Sequence, residues 1–412
     1  MSPSRSARIA PMLAGVALAA AAAFTAGCPS NHTAGQDEAR QKAKARWNTV
    51  RADVLCGVAA DNLRAGRLDA AQAKAAEALA MEPNSMAGLL VMGRIALERG
   101  QYAQALKTLD QARAIDPKNA AAAYYLAVAL EKSNRLDEAL QAYRQAYFLN
   151  DASLDAVKGA AEVMVAMGQP RQAKAYLGGF MPRAEGDAGM YELAGRLAQL
   201  CGDPAEAAGH FVKAHDIDSA NMLYLEKLIE VQFLAGQYDK VLASIRDLKP
   251  SEHYSPPATI YVMQGDSCLA LRRPNEALAA YKTATTGAAS LWAAWSGVSR
   301  AELALSRPAE AVAAARKAYE LDKDNPDSTL LVGYSLVRAG RTVEAIACLK
   351  QAIAQRGNDA TLLCVLGRAY AAGGDELEAT RCYTAALRSE PGNRLASELL
   401  SSTARKDKVE TR

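Results

Sequence analysis

Pro83 and Pro117 stand 34 residues apart in matching settings, MEPNS and IDPKN, and Pro391 in SEPGN follows Pro83 by 308 residues, nearly nine such periods. The interval is filled with stretches of the same shape: 92–119 beside 126–151, and 332–358 beside 366–393. A fixed period of this length constrains the fold more than any other feature. Each repeat is one small helical or stranded unit that cannot bury its apolar side alone and does so by stacking on its neighbours. The two or three globular domains that 412 residues would otherwise suggest are therefore not expected.

The phase of the repeat can be read residue by residue. Ten repeats run 52–85, 86–119, 120–153, 154–187, 188–221, 222–257, 258–291, 292–325, 326–359 and 360–393. Position eight is small in nine of them (Ala59, Gly93, Ala127, Ala161, Gly195, Gly265, Ser299, Gly333 and Gly367), with Ile229 in the sixth. Position twenty is Ala in the same nine, Ala71 to Ala379, and Val241 in the sixth. Two small residues at a constant separation suit two helices of one hairpin, and Gly93 and Ala105 are expected to meet. Larger residues at position twenty-four (Leu109, Tyr143, Phe211, Tyr281, Leu349, Tyr383) fill the space beside them, and position twenty-seven is again mostly Ala.

The punctuation agrees. Gly66, Gly100, Gly168, Gly202, Gly236, Gly340 and Gly374 fall at the hairpin turn, where a helix ends most easily on a residue tolerating φ > 0. Pro170, Pro204, Pro274 and Pro308 follow, where a new helix loses nothing by lacking an amide donor. Asp69, Asp137 and Asp239 sit where the second helix starts and complement its dipole. Composition points the same way. The chain is 50% hydrophobic but only 6% aromatic, and its Ala and Leu suit close helix packing rather than a β-sandwich. It is neither charged enough nor apolar-poor enough for disorder.

The pattern resembles the tetratricopeptide repeat, a 34-residue helix-turn-helix, over about five-sixths of the chain. The resemblance implies an all-α, right-handed superhelical solenoid of about ten repeats. The fourth and sixth repeats have irregular ends (GGFMPRAEGD and LKPSEHYSPP), and 394–412 is expected to be a capping helix with a charged tail. In this family the first helix of each repeat, helix A, lines a concave groove that takes a protein or peptide, notably with positions two, five, nine and twelve. Position nine supplies Arg94, Glu162, Arg196, Glu230, Asp266, Arg300, Tyr334 and Arg368, with Ala60 and Val128 in the first and third repeats; positions two and five add Asp155, Lys158, Glu192 and Glu226. This reads either as a solvated face or as a groove with an acid-rich middle flanked by Arg, suited to a basic partner segment. The Lys/Asn set with which chaperone-binding relatives clamp a C-terminal carboxylate is missing at these positions.

The N-terminus, MSPSRSARIAPMLAGVALAAAAAFTAGC, reads as an address. Arg5 and Arg8 precede an uncharged apolar stretch, Ile9 to Phe24, that ends in small residues, the layout of an export signal. A spanning helix needs about 20 apolar residues, and this stretch is shorter and Ala-rich. Thr25-Ala26-Gly27-Cys28 resembles the lipobox of bacterial lipoproteins, with Thr25 where Leu is commoner. That resemblance implies cleavage after residue 27, acylation of Cys28 and insertion of its chains into a lipid bilayer; two or more chains anchor firmly where one does so marginally. Pro29 stands where an inner-membrane retention signal would have Asp, so the periplasmic side of the outer membrane is expected. Residues 28–51 read as a polar tether and leading helix ahead of the repeats at 52–393.

Other chemistries are poorly served. The net charge of +3, about +1 without residues 1–27, does not call for nucleic acid. There is no GxxxxGK[ST], HExxH or GxSxG, so no catalytic residue or cofactor is expected. His210 and His215, five apart, do not share a helix face well enough to hold a metal, and His32 and His253 stand alone. Cys56, Cys201, Cys268, Cys348, Cys364 and Cys382 have no metal-like spacing and read as small buried hydrophobes, although pairing in an exported protein is open. The layout of lipid anchor, tether and repeat body resembles envelope-assembly lipoproteins. This implies an adaptor in pilus or secretion-channel assembly, with an exopolysaccharide-export scaffold or a regulator of cell-wall enzymes as alternatives. Oligomeric state is not legible.

Overall fold

A computed structural model describes residues 34–248, 250 and 254–410. The expected export signal and lipobox, with Cys28, and Pro29, His32 and His253 lie outside the described residues. Among the described residues there are 21 α-helices, one short 3₁₀ turn and no strand. The chain forms two compact units, 1–151 and 152–412.

The first unit holds three hairpins: α1 (Ala34–Arg64) with α2 (Leu68–Met81), α3 (Met86–Glu98) with α4 (Tyr102–Ile115), and α5 (Ala120–Lys132) with α6 (Leu136–Leu149). The leading helix and the first helix A are one continuous α1, 31 residues long. Its C-terminal part packs through Ala52, Cys56 and Ala59, whereas Trp47, Val50, Val54 and Val58 make an apolar stripe that stays exposed.

The second unit holds seven hairpins: α7 (Leu154–Ala166) with α8 (Pro170–Gly178), α9 (Ala188–Leu200) with α10 (Pro204–Ile217), and α11 (Met222–Leu234) with α12 (Tyr238–Asp247). Then come α13 (Ala258–Ala270) with α14 (Pro274–Gly287), α15 (Trp292–Ala304) with α16 (Pro308–Leu321), α17 (Pro326–Arg338) with α18 (Thr342–Arg356), and α19 (Ala360–Ala372) with α20 (Glu376–Ser389). The last hairpin is covered by α21 (Arg394–Glu410), which buries Ala396. The two repeats with irregular ends are those with the shortest second helices, α8 with 9 residues and α12 with 10.

Local chemistry sets the ends of these helices. Side chains of Ser85, Asn119, Asp187, Asn221, Asn325 and Asp359 accept hydrogen bonds from first-turn amides of α3, α5, α9, α11, α17 and α19. All four prolines expected after the turn are the first residues of α8, α10, α14 and α16. The seven turn glycines all have positive φ, and the other three repeats place Asn134, Arg272 and Ser306 there at φ 58°, 60° and 58°. The left-handed turn is thus common to all ten hairpins, whichever residue occupies it.

The small residues are packed as their spacing implies, with one refinement. Position twenty is fully buried in all ten repeats, Ala71 and Ala105 through Val241 to Ala379. The atoms nearest to a Cβ placed on Gly93, however, belong to Leu109, at 2.6 Å, rather than to Ala105. The same holds elsewhere: Gly195 lies under Phe211, Gly265 under Tyr281, Gly333 under Leu349 and Gly367 under Tyr383. Position eight is small because the large side chain at position twenty-four lies directly on its backbone. The sixth repeat redistributes this volume, packing Ile229 and Val241 with Leu225, Leu248 and Ile260, and Ile245 only partly buried beside them.

Candidate functional site

Within each unit, helix A of successive repeats lies side by side, so its position-nine residues form rungs one period apart. Arg196 Nη2 on α9 meets Glu162 Oε1 on α7 at 3.0 Å, and its Nε meets Glu192 Oε1 at 3.3 Å. Arg300 Nη2 on α15 meets Asp266 Oδ1 on α13 at 2.6 Å. Arg368 on α19 stacks over the Tyr334 ring of α17 at 5.2 Å. Arg94, in the first unit, stacks at 5.0 Å over Tyr125, not at position nine.

The acid-rich middle is therefore not a bare acidic wall. Besides the Arg196 and Arg300 pairs, Glu230 takes Lys227 Nζ at 2.9 Å, and Glu226 accepts the Tyr254 hydroxyl at 2.7 Å. Burial, reinforced by that carboxylate, pushes the Tyr254 phenol well above its ordinary pKa. Lys158 bridges Asp155 at 2.9 Å and Asp187, the cap of α9, at 3.3 Å. Burial opposes its charge, but the two carboxylates outweigh it and hold the ammonium above the usual lysine value. Glu192 is driven the other way: burial raises its pKa despite Arg196. The expected negative potential is reduced because Glu162, Glu192, Glu226, Glu230 and Asp266 each meet a donor, Glu162 and Glu192 sharing Arg196. These partly exposed pairs are worth only ~0–1 kcal/mol each; Arg196–Glu162 and Arg300–Asp266 tie neighbouring repeats, and the others lie within one repeat.

What the structure does bring together is a cleft of about 790 Å³ across α13, α15, α17 and α19. Its apolar lining includes Val262, Trp292, Leu303, Leu330, Leu331 and Val365; Asp266, Ser296, Arg300, Asp327, Tyr334, Arg338 and Thr361 supply polar groups. Tyr281 of α14 braces one wall: its hydroxyl donates to Asp266 Oδ1 at 2.6 Å, and its ring lies against Gly265 and Gly297. Trp292 is held by donating its indole N–H to Ser328 Oγ. Arg338 Nη1 donates to the Tyr334 hydroxyl at 3.3 Å. That hydrogen bond, with Arg368 nearby, holds the phenol below its ordinary pKa against the opposing effect of burial.

Of the residues expected from position nine, Asp266, Arg300 and Tyr334 line the cleft, and Arg368 stands behind Tyr334. Arg94, Asp155, Lys158, Glu162, Glu192, Arg196, Glu226 and Glu230 do not line it. Sequence reasoning chose charge and passed over the apolar floor. A signal was available: position five changes from Lys158, Glu192 and Glu226 in repeats four to six to Val262, Ser296, Leu330 and Cys364 in repeats seven to ten.

Other groups make no comparable site. Among the described residues no three or more His, Cys, Asp or Glu side chains are placed to hold a metal ion, and no helix is long and apolar enough to cross a membrane. His210 lies 3.6 Å from Glu206, and burial lowers its pKa. The six cysteines named above are free thiols, four of them buried; burial pushes Cys382 up to about 11.

Residues 90–153, 262–326 and 330–394 match the tetratricopeptide-repeat family. These segments correspond to repeats two and three and seven to ten, the last four being those that form the cleft. Cellulose synthase operon protein C of Pseudomonas fluorescens is 28% identical over 178 residues, covering 41% of this chain and 14% of that protein. The chain thus spans about one-seventh of the length of that relative. Among solved structures, a tetratricopeptide-repeat protein from Parabacteroides merdae aligns at TM-score 0.42 and 18% identity, over 61% of this chain and 98% of that one. The C-terminal part of a repeat protein from Cytophaga hutchinsonii aligns at 0.45 and 13%, over 67% and 99%. With the repeat phase, the left-handed hairpin turns and the family match in agreement, this chain is a tetratricopeptide-repeat protein.

Proposed function

We propose that this protein is a non-catalytic adaptor of the bacterial cell envelope, held to the outer membrane by acyl chains on Cys28, that binds an extended segment of a partner protein in the cleft of repeats seven to ten. The observation that carries the binding reading is the cleft itself. It is wide enough for a peptide, apolar at its floor, and built from helix A positions that repeats four to six fill with charged side chains. Such a surface left open on a stack of hairpins is suited to a ligand rather than to water.

Two envelope roles fit an anchored adaptor: assembly of a pilus or secretion channel, and export of an exopolysaccharide. The partial likeness to cellulose synthase operon protein C favours the second. Photo-crosslinking in cells tests the reading. A crosslinker at Leu331, in the cleft, should trap a defined protein that one at Gln351, on α18, does not. Labelling with a palmitate analogue should mark the protein and fail on Cys28→Ala. Loss of polysaccharide export on deletion would support the second role, and loss of piliation with intact export would support the first.

A further inference from the structure

The cleft carries charge that is not internally balanced. Asp266 is satisfied by Arg300 and the Tyr281 hydroxyl. Arg338 and Arg368 have no such carboxylate: among the described residues their contacts are with Tyr334, the hydroxyl for one and the ring face for the other. Asp327, the remaining acid of the lining, is eleven residues from Arg338 at the opposite end of α17, roughly 16 Å away along the helix. The apolar floor, Leu330, Leu331 and Val365, lies between Asp327 near the start of α17 and Arg338 at its end. A guanidinium with no carboxylate partner at one end of an apolar floor, with a second cation at the same tyrosine, is chemistry for a carboxylate flanked by apolar side chains. Four helices spaced roughly 8–10 Å apart span about nine residues of extended chain.

Resting on the peptide-cleft reading above, we infer that repeats seven to ten recognise an internal acidic segment, with an Asp or Glu side chain meeting Arg338, the charge of Arg368 behind Tyr334 reinforcing it, and apolar residues further along the segment seated on Leu330 and Leu331. This assigns the partner a charge opposite to the one expected from the acidic residues of the middle repeats. It also gives Arg338, which was not among the position-nine residues, the role of the main ligand contact. The low Tyr334 pKa is consistent with two cations whose charge is not otherwise answered.

The test is selection of random nonapeptides, displayed with neutral linkers at both ends, on the full chain. Enrichment of Asp or Glu beside Leu, Ile, Val or Phe is expected. Selected peptides should weaken tenfold or more on Arg338→Glu, an exposed position whose change leaves helicity intact, and weaken again in 0.5 M NaCl. Peptides that are lost on the cleft-filling Leu331→Arg variant but show no acidic bias, or ignore Arg338→Glu, overturn this inference and leave the cleft reading standing. Selection that succeeds only with a free C-terminal carboxylate also overturns it. If no peptide is selected, or none responds to Leu331→Arg, both readings fall.

Discussion

Asp266 and Arg300 are 34 residues apart in sequence and 2.6 Å apart in space, one full repeat bridged by a single ion pair. The same Asp266 oxygen also accepts the Tyr281 hydroxyl from the second helix of its own hairpin. One carboxylate therefore ties helix A of repeat seven to its partner helix and to the next repeat. Asp266→Asn should lower unfolding free energy by ~1 kcal/mol, because a charge-assisted acceptor becomes a neutral one. A double-mutant cycle of Asp266→Asn with Arg300→Ala, followed by urea denaturation, should show coupling of ~0.2–1 kcal/mol, since Arg300 is about half exposed. Additive losses would show that the pair is not formed in solution.

A packed glycine at position eight and an open one on the second helix should respond oppositely to an added methyl. A Cβ at Gly265 would come within 2.5 Å of the Tyr281 ring, whereas one at Gly209 on α10 meets nothing within 4 Å. Gly265→Ala should destabilise by ~1–3 kcal/mol through overpacking. Gly209→Ala should stabilise by roughly 0.5–1 kcal/mol through its better helix propensity. Thermal melts of the two variants should shift in opposite directions.

The turn positions offer a gain. Arg272 and Ser306 adopt the left-handed conformation that seven glycines occupy in equivalent turns. Arg272→Gly and Ser306→Gly should each raise stability by ~1 kcal/mol, because a side chain in this region costs about 1–2 kcal/mol and glycine offsets part of that with its greater unfolded-state entropy. Asn134→Gly should gain least, asparagine being the most tolerant of the three. Urea midpoints measured side by side would decide the order.

Buried thiols make a prediction about pH. Burial raises Cys382 to about 11 from 9.0, so the folded state holds that proton more tightly than the unfolded state does. Its contribution to stability is complete below pH 9 and is lost as pH rises through 11. Denaturant midpoints should fall across this window, and Cys382→Ala should reduce the slope there. The wild-type thiol should also react slowly with a disulfide reagent at pH 8 and quickly once unfolded.

The fold was legible in sequence because a repeat reports its own phase. The 34-residue period, the small residues at positions eight and twenty and the turn glycines together located ten hairpins, including the two with shortened second helices. These are short-range requirements: a left-handed turn, a helix start, a close backbone approach. Each leaves its mark on the residue that meets it. What lies on the small residues was less accessible, since Gly93 packs beneath Leu109 through a side-chain orientation that spacing alone does not settle.

The site was only half legible. Of the position-nine residues, Asp266, Arg300 and Tyr334 line the cleft. Which charges cancel, however, depends on neighbours one repeat away. Glu162 meets Arg196, Glu226 meets a tyrosine from the irregular end of its repeat, and Arg338 finds no acid among the described residues. Charge at one position is a property of sequence; potential at a surface is a sum over residues that only tertiary packing brings within a few ångströms. The sequence by itself therefore determined the repeat and its phase. Packing decided where helix A leaves a face that is open, apolar and cationic.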